Sequence, residues 1–331
     1  MPTATGDMPA PLETALRRGA PHLKIERIAS VERFTSGLSS QSYCVSGETA
    51  DGPARWVMRV EPEFGVIPPY DIAREYRLIE AAGRAGIPVP EVLHLEEDAS
   101  LIGGRFILMT YVEGEVYRNM DPRLAAAPGL LAQIQENFVE MLARIHEMPQ
   151  DVLPGHADGR EAARAEVAVC RRRLAKTELL PSPIFRHALD VLDRFAPPAQ
   201  RLALLHGDYR LPNLKWQDGA ISGVLDWELA RVGDPLSDIA FTQTVGKGSC
   251  SIEGPLAIRY GARTGIELDE RKLCYFRLLE LVKGSIIGMA GAYDLANGGN
   301  DLRLISVAMI AATGQAMMGA LEAQLEQFLE A

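Results

Sequence analysis

The segment His206-Gly207-Asp208-Tyr209-Arg210-Leu211-Pro212-Asn213, followed by Val224-Leu225-Asp226-Trp227-Glu228, puts two carboxylates and a carboxamide at the ends of two short apolar runs. Phosphoryl transfer from ATP needs a carboxylate that orients or deprotonates the accepting hydroxyl, and oxygen ligands that hold magnesium against the phosphates. Asp208 suits the first task, and Asn213 and Asp226 suit the second. Any one of them alone reads first as an ordinary turn residue. The set, with an apolar strand on each side, points to chemistry.

The elements that must position these residues change character along the chain. After a polar, proline-containing start, residues 28–45 read as strand, turn and strand, and 55–60 as another strand after the Asp51-Gly52-Pro53 turn. The period becomes helical over 71–85, with Asp71 opening the helix and Gly86 and the Pro88-x-Pro90 pair closing it. Residues 92–94 and 105–112 read as strands, and Gly114 ends the strand-rich part. Beyond it, helices are predicted over 130–148, 161–174, 185–195, 255–265, 270–290 and 304–329. The β interruption at 202–227 consists of LALLH, LKWQ and ISGVLDW. The expectation is an α+β, two-lobed fold: an antiparallel-sheet lobe, 1–112, ending in a hinge, and a mainly helical lobe, 113–331.

Composition narrows the function classes. A formal charge of -10 gives no general attraction for nucleic acid or anionic membrane. Cys44, Cys170, Cys250 and Cys274 are widely spaced and form no CxxC pair, so they read as idle thiols in a reducing compartment. The N-terminus carries no uninterrupted apolar stretch of the kind a secretory signal needs. Residues 304–321 are only about as long as the lower limit for a membrane span. They contain Thr313, Gly314, Gln315 and Gly319, and read as a buried helix. A cytoplasmic protein with no membrane or nucleic-acid partner is expected.

His206 to Asn213 resembles the catalytic loop of the aminoglycoside phosphotransferase and choline kinase-like family, H-G-D-x-x-x-x-N, and Asp226 resembles its metal-binding aspartate. Asp226-Trp227-Glu228-Leu229-Ala230, Gly233-Asp234-Pro235 and Asp238 are similar to the branch related to kinase-like domains found beside acyl-CoA dehydrogenases. So are residues 36–43, Arg74-Glu75-Tyr76-Arg77, residues 87–90 and residues 103–114. The resemblance is good from Phe34 to Ala240 and weak beyond. It implies a protein-kinase-like fold and ATP- and Mg2+-dependent transfer of the terminal phosphoryl group to a small-molecule hydroxyl acceptor. Asp208 would orient the hydroxyl or act as base, and Asn213 and Asp226 would bind magnesium. Arg210 would neutralise charge on the transferring group or form a surface salt bridge. His206 is expected to brace the loop, as are Asp234 and Asp238, Asp234 by capping the helix that Asp238 enters. In the first lobe, Ser36, Gly37 and Ser39 resemble the nucleotide-covering turn, with one glycine where kinases have three. Arg59 stands where many members have lysine and would pair with Glu75 and phosphate. Met109 and Tyr111 resemble the hinge edging the adenine pocket.

The acceptor is less defined. From Phe241 onward acidic and basic residues nearly balance, which disfavours a polycationic antibiotic. Lys283 and Arg303 would receive a carboxylate or phosphate, and Tyr275 with the apolar positions around it an aliphatic chain. That arrangement suits a hydroxyacyl compound or hydroxyacyl-CoA. These cations equally fit as partners of Glu267, Glu280 and Asp301. The alternatives are an aminoglycoside or other small-alcohol kinase, and a nucleotide-binding pseudokinase scaffold.

Overall fold

Alternation along Gly52–Val60 (β3) sends Trp56, Met58 and Val60 to one face of a sheet and Val57 and Arg59 to the other. The computed structural model describes residues 8–34, 41–62, 67, 70–179, 181–246, 256–299, 304–305 and 314–330. Ser36, Gly37, Ser39 and Arg303 lie outside them. The chain divides into two units, Met1–Glu113 and Gly114–Ala331.

In the first unit Ile25–Arg33 (β1), Gln41–Thr49 (β2), β3, Val92–Glu96 (β4) and Phe106–Thr110 (β5) form one sheet in the order β1-β2-β3-β5-β4. Every neighbouring pair is antiparallel. One face carries Tyr43, Val45, Trp56, Met58, Val60, Phe106 and Leu108, which pack with Leu12 and Leu16 in a single core. The last two belong to a helix, Pro9–Gly19 (α1), where the sequence reading has only a polar start; Leu12, Ala15 and Leu16 are its buried stripe. The other face carries Val57 and Arg59, paired with Met109 and Ile107. Ile72–Arg84 (α2) lies on this side. Asp71 caps it, accepting from the Arg74 amide at 3.0 Å, and its buried stripe Glu75, Leu78, Ile79, Ala82 includes one charged residue.

The second unit is built from helices Pro122–Ala125 (α3), Pro128–His146 (α4), Gly159–Thr177 (α5), Pro183–Arg194 (α6), Leu236–Gln243 (α7), Leu256–Thr264 (α8), Glu270–Ala296 (α9) and Gly314–Glu330 (α10). Asp269 caps α9 through the Lys272 amide. Leu273, Leu278, Leu279, Val282 and Ile286 are buried along α9, which makes it the central helix against which α5, α6, α7 and α10 pack. Two short antiparallel pairs interrupt the helices: Ala203–Leu205 (β6) with Arg231–Gly233 (β9), and Leu214–Gln217 (β7) with Ala220–Val224 (β8). Among the described residues no helix is long and apolar enough to cross a membrane.

Candidate active site

The β7–β8 hairpin sets the register of the second unit's polar cluster. Its two-residue turn is Asp218-Gly219, both with positive φ (51° and 77°), the backbone that matches strand twist in tight hairpins and favours Asp-Gly. The register shifts by one residue between Lys215 and Trp216, so that Leu214 pairs with Val224; the Leu225 amide donates to the Asn213 carbonyl at 2.9 Å, and Asp226 follows directly. Asp226 has φ +68°, a left-handed conformation that Asp and Asn tolerate better than most residues.

Asp208 is 9% exposed, and both of its carboxylate oxygens are engaged. Oδ1 lies 2.9 Å from Arg210 Nε. Oδ2 accepts from Arg210 Nη2 at 3.1 Å and from Asn213 Nδ2 at 2.8 Å. Burial pushes its pKa up to about 6; Arg210 opposes the rise, and the nearby Asp226 charge adds to it. Asn213 Nδ2 also donates to the Asp208 carbonyl at 2.9 Å. With its nitrogen committed to Asp208, the carboxamide has its oxygen left to accept or to ligate.

His206 is fully buried. Its Nδ1 accepts from the Asp208 amide at 3.2 Å and its Nε2 donates to the Leu225 carbonyl at 3.0 Å, so the ring is a neutral brace between the loop and the strand end that precedes Asp226. Burial depresses its pKa, which favours that neutral form. Asp238 binds the other side of the loop: Oδ2 accepts from the His206 amide at 2.8 Å and Oδ1 from the Gly207 amide at 2.9 Å. His146 Nε2 donates to the same Asp238 Oδ2 at 3.1 Å, and Tyr260 donates to His146 Nδ1 at 2.7 Å. Burial opposes the Asp238 charge, but the His146 donor outweighs it and holds the carboxyl well below the usual range. Asp234 stands one residue before the N-cap of α7, which is Pro235, and its Oδ1 accepts from the Leu236 amide at 2.9 Å. The sequence reading leaves His146 unassigned; its signal is a polar residue within the buried stripe Phe138, Val139, Leu142, Ile145 of α4.

Gly207 has φ +83°, and a Cβ there would lie 2.3 Å from the Leu229 carbonyl oxygen and 2.6 Å from Arg231 Nη1. Gly207→Ala is therefore expected to destabilise the protein by at least about 2 kcal/mol, from strained φ and an unrelieved backbone clash. A lowered urea midpoint at unchanged slope would show it; an unshifted midpoint would count against the strain.

In the first unit Arg59 Nε lies 3.1 Å from Glu75 Oε1, with side chains 10% and 7% exposed. Met109 is buried beside Val57. The Arg55 guanidinium stacks on the Tyr111 ring at 4.2 Å and pairs with Glu113. Ile107, the cross-strand partner of Arg59, is fully buried.

The acceptor residues need correction. Tyr275 is 1% exposed, its hydroxyl donates to the Leu192 carbonyl at 3.0 Å, and its ring packs on Phe276 and Phe328. It is a core residue. Lys283 Nζ lies 2.9 Å from Glu166 Oε2 and 3.1 Å from Glu280 Oε1, so of its two readings the partnership with Glu280 is the one found.

The donor set suits magnesium. Among the described residues no group of three or more His, Cys, Asp or Glu side chains forms a metal cage. Magnesium is commonly held by one or two carboxylates together with substrate phosphates, and Asp226 with the Asn213 oxygen is a hard-oxygen set of that kind.

An antiparallel sheet joined to a helix by the buried Arg59–Glu75 pair, followed by a helical unit with an H-G-D loop, defines a protein-kinase-like fold. Residues 30–287 match the phosphotransferase enzyme family, APH, and the chain belongs to that family. The members of that family are phosphotransferase enzymes, and use of ATP and magnesium is typical of it. A 219-residue stretch is 33% identical to acyl-CoA dehydrogenase family member 10 of Mus musculus, covering 63% of this chain and 20% of that protein. The chain thus spans about a fifth of that curated relative. Among solved structures, a Ralstonia eutropha JMP134 protein provisionally named an aminoglycoside phosphotransferase superposes with TM-score 0.67 at 23% identity, over 96% of this chain and 98% of that one. A thermostable mutant of aminoglycoside phosphotransferase APH(4)-Ia, in complex with AMP-PNP and hygromycin B, gives 0.62 at 18% identity, over 95% and 98%. At these identities the likeness is one of fold.

Proposed function

We propose that this chain transfers the terminal phosphoryl group of ATP to the hydroxyl of a small alcohol, with Asp208 as the group that orients and deprotonates that hydroxyl. The supporting observation is the Asp208 carboxylate, buried, fixed by Arg210 and Asn213, and near enough to Asp226 to feel its charge. The hydroxyl oxygen forms a bond to the terminal phosphorus as the bond to the ADP oxygen breaks, and its proton passes to Asp208. Both Asp208 oxygens are held by neighbours, so the hydroxyl displaces part of the Arg210 pairing as it enters; the released guanidinium then faces the charge that develops on the transferring group. Asn213 and Asp226 would hold magnesium, which when bound neutralises phosphate charge. Arg59, kept in place by Glu75, serves the nucleotide phosphates, and Met109 with Val57 supplies apolar contact to the base.

A second reading narrows the acceptor to a hydroxyacyl compound. Its support is the 33% likeness to acyl-CoA dehydrogenase family member 10, since Tyr275 and Lys283 are internal. The deciding experiment is an acceptor screen with magnesium and ATP, following ADP release and product mass. Aminoglycosides, macrolides, choline, simple sugars, hydroxy acids and hydroxyacyl-CoAs form the panel. A phosphorylated alcohol is expected. Product confined to aminoglycosides would sink the acyl reading, and ATP binding with no product or ADP release would point to a scaffold.

A further inference from the structure

Five side chains that the chemistry above does not use meet in one cluster: Glu166 of α5, Arg231 of β9, Ser237 of α7, and Glu280 and Lys283 of α9. Glu280 Oε1 is its hub, accepting from Arg231 Nη2 at 3.0 Å, Ser237 Oγ at 2.9 Å and Lys283 Nζ at 3.1 Å. Glu166 Oε2 closes the ring, 3.0 Å from Arg231 Nε and 2.9 Å from Lys283 Nζ. Two cations thus face two carboxylates. Burial works against the Glu166 charge, but Arg231 and Lys283 outweigh it and hold that carboxyl below its ordinary value.

Stability is a weak reason to keep such a cluster, because each buried ion costs several kcal/mol in desolvation and apolar replacements often do as well. Its location is more informative. Arg231 Nη1 is the atom a Cβ on Gly207 would meet at 2.6 Å, and it donates to the Leu229 carbonyl, the other group crowding that position. The guanidinium therefore floors the left-handed turn immediately before Asp208.

We propose that Glu280 and Lys283 are positioning residues: through Arg231 they fix the Gly207 turn, and with it the direction of the Asp208 carboxylate. The proposal rests on the phosphotransfer reading for its functional meaning. In Glu280→Gln the hub loses its charge, so Arg231 and Lys283 share the single carboxylate of Glu166, and Arg231 loses its charged partner on α9 while keeping Glu166, Ser237 and the Leu229 carbonyl.

The test is amide hydrogen exchange on the whole protein, with ADP release from magnesium-ATP, water being the acceptor, as a second readout. Glu280→Gln is expected to speed exchange in the peptide over residues 204–214 by at least about fivefold. ADP release should slow by a similar factor while KM for ATP stays within about twofold. The charge-balanced pair Glu280→Gln/Lys283→Met should return both towards the parent values. Unchanged exchange in the loop, equal acceleration across α5, α7 and α9, or no recovery in the double variant would each overturn the proposal. If Glu280→Gln does not fold, Lys283→Met is read in the same way against the same outcomes. Loop exchange that responds as stated, in a protein whose parent phosphorylates nothing, upholds the positioning and counts against the phosphotransfer reading alone.

Discussion

Asp208→Ala is expected to lower turnover by about 10²- to 10⁴-fold, the range contributed by positioned general bases, while ATP affinity changes by less than about threefold. The carboxylate is assigned to the acceptor and not to the nucleotide, so its loss falls on the chemical step. Folding should survive. Arg210, about one-third exposed in its side chain, can return to water, and Asn213 keeps its second bond to the Asp208 carbonyl. Single-turnover phosphoryl transfer beside a calorimetric titration with ATP separates the two quantities. Comparable single-turnover rates would remove Asp208 from the mechanism.

The second large effect belongs to Asp226→Asn. Asparagine tolerates the left-handed backbone at this position and nearly preserves volume, so the substitution removes an anionic oxygen without adding strain. Even the loss of an outer-shell partner commonly costs about 10- to 100-fold in metal affinity or activity, and loss of a direct ligand should cost at least the upper figure. The expected result is nucleotide binding that no longer strengthens when magnesium is added, with turnover lost and the thermal midpoint within a few degrees of the parent. Magnesium-dependent ATP binding that persists unchanged, with normal turnover, would defeat the assignment of Asp226 as a ligand.

The two-part architecture was legible in the sequence because the hydrophobic period changes from two to 3.6 at Asp71, and helices dominate beyond Gly114. Elements too short to show a period escaped: β9 and α3 span three and four residues. The α1 helix escaped for a different reason, since two prolines and a terminal glycine frame only three buried positions. The residues at 206–213 and 226 could be grouped because they stand close together in the chain. Their supports could not, since Asp238 meets His146 across 92 positions and Arg231 meets Glu280 across 49. What the sequence offers at such places is a charged or polar residue inside an apolar helical stripe, as at Glu75, His146 and Glu280. Lys283 was open to two readings, an anchor for the acceptor or a partner of Glu280, because α9 is buried along so much of its circumference that no polar face identifies which way a cation points; the pairing with Glu280 is the one found.

The β2–β3 connection has a consequence for how relatives of this chain can vary in length. Thr49 pairs with Gly52 across two residues, and from there the register runs to Gln41 and Val60. Because successive residues alternate faces, one residue inserted or deleted between Thr49 and Gly52 would either shift the pairing or require a bulge. An uncorrected slip sends Trp56 and Met58 to the side of Arg59, and turns the guanidinium into the core of Leu12 and Leu16. A change of two residues preserves the parity. Chains that keep the Arg59–Glu75 pair should therefore differ here by even numbers of residues, with odd changes confined to those that also carry a bulge in β2 or β3.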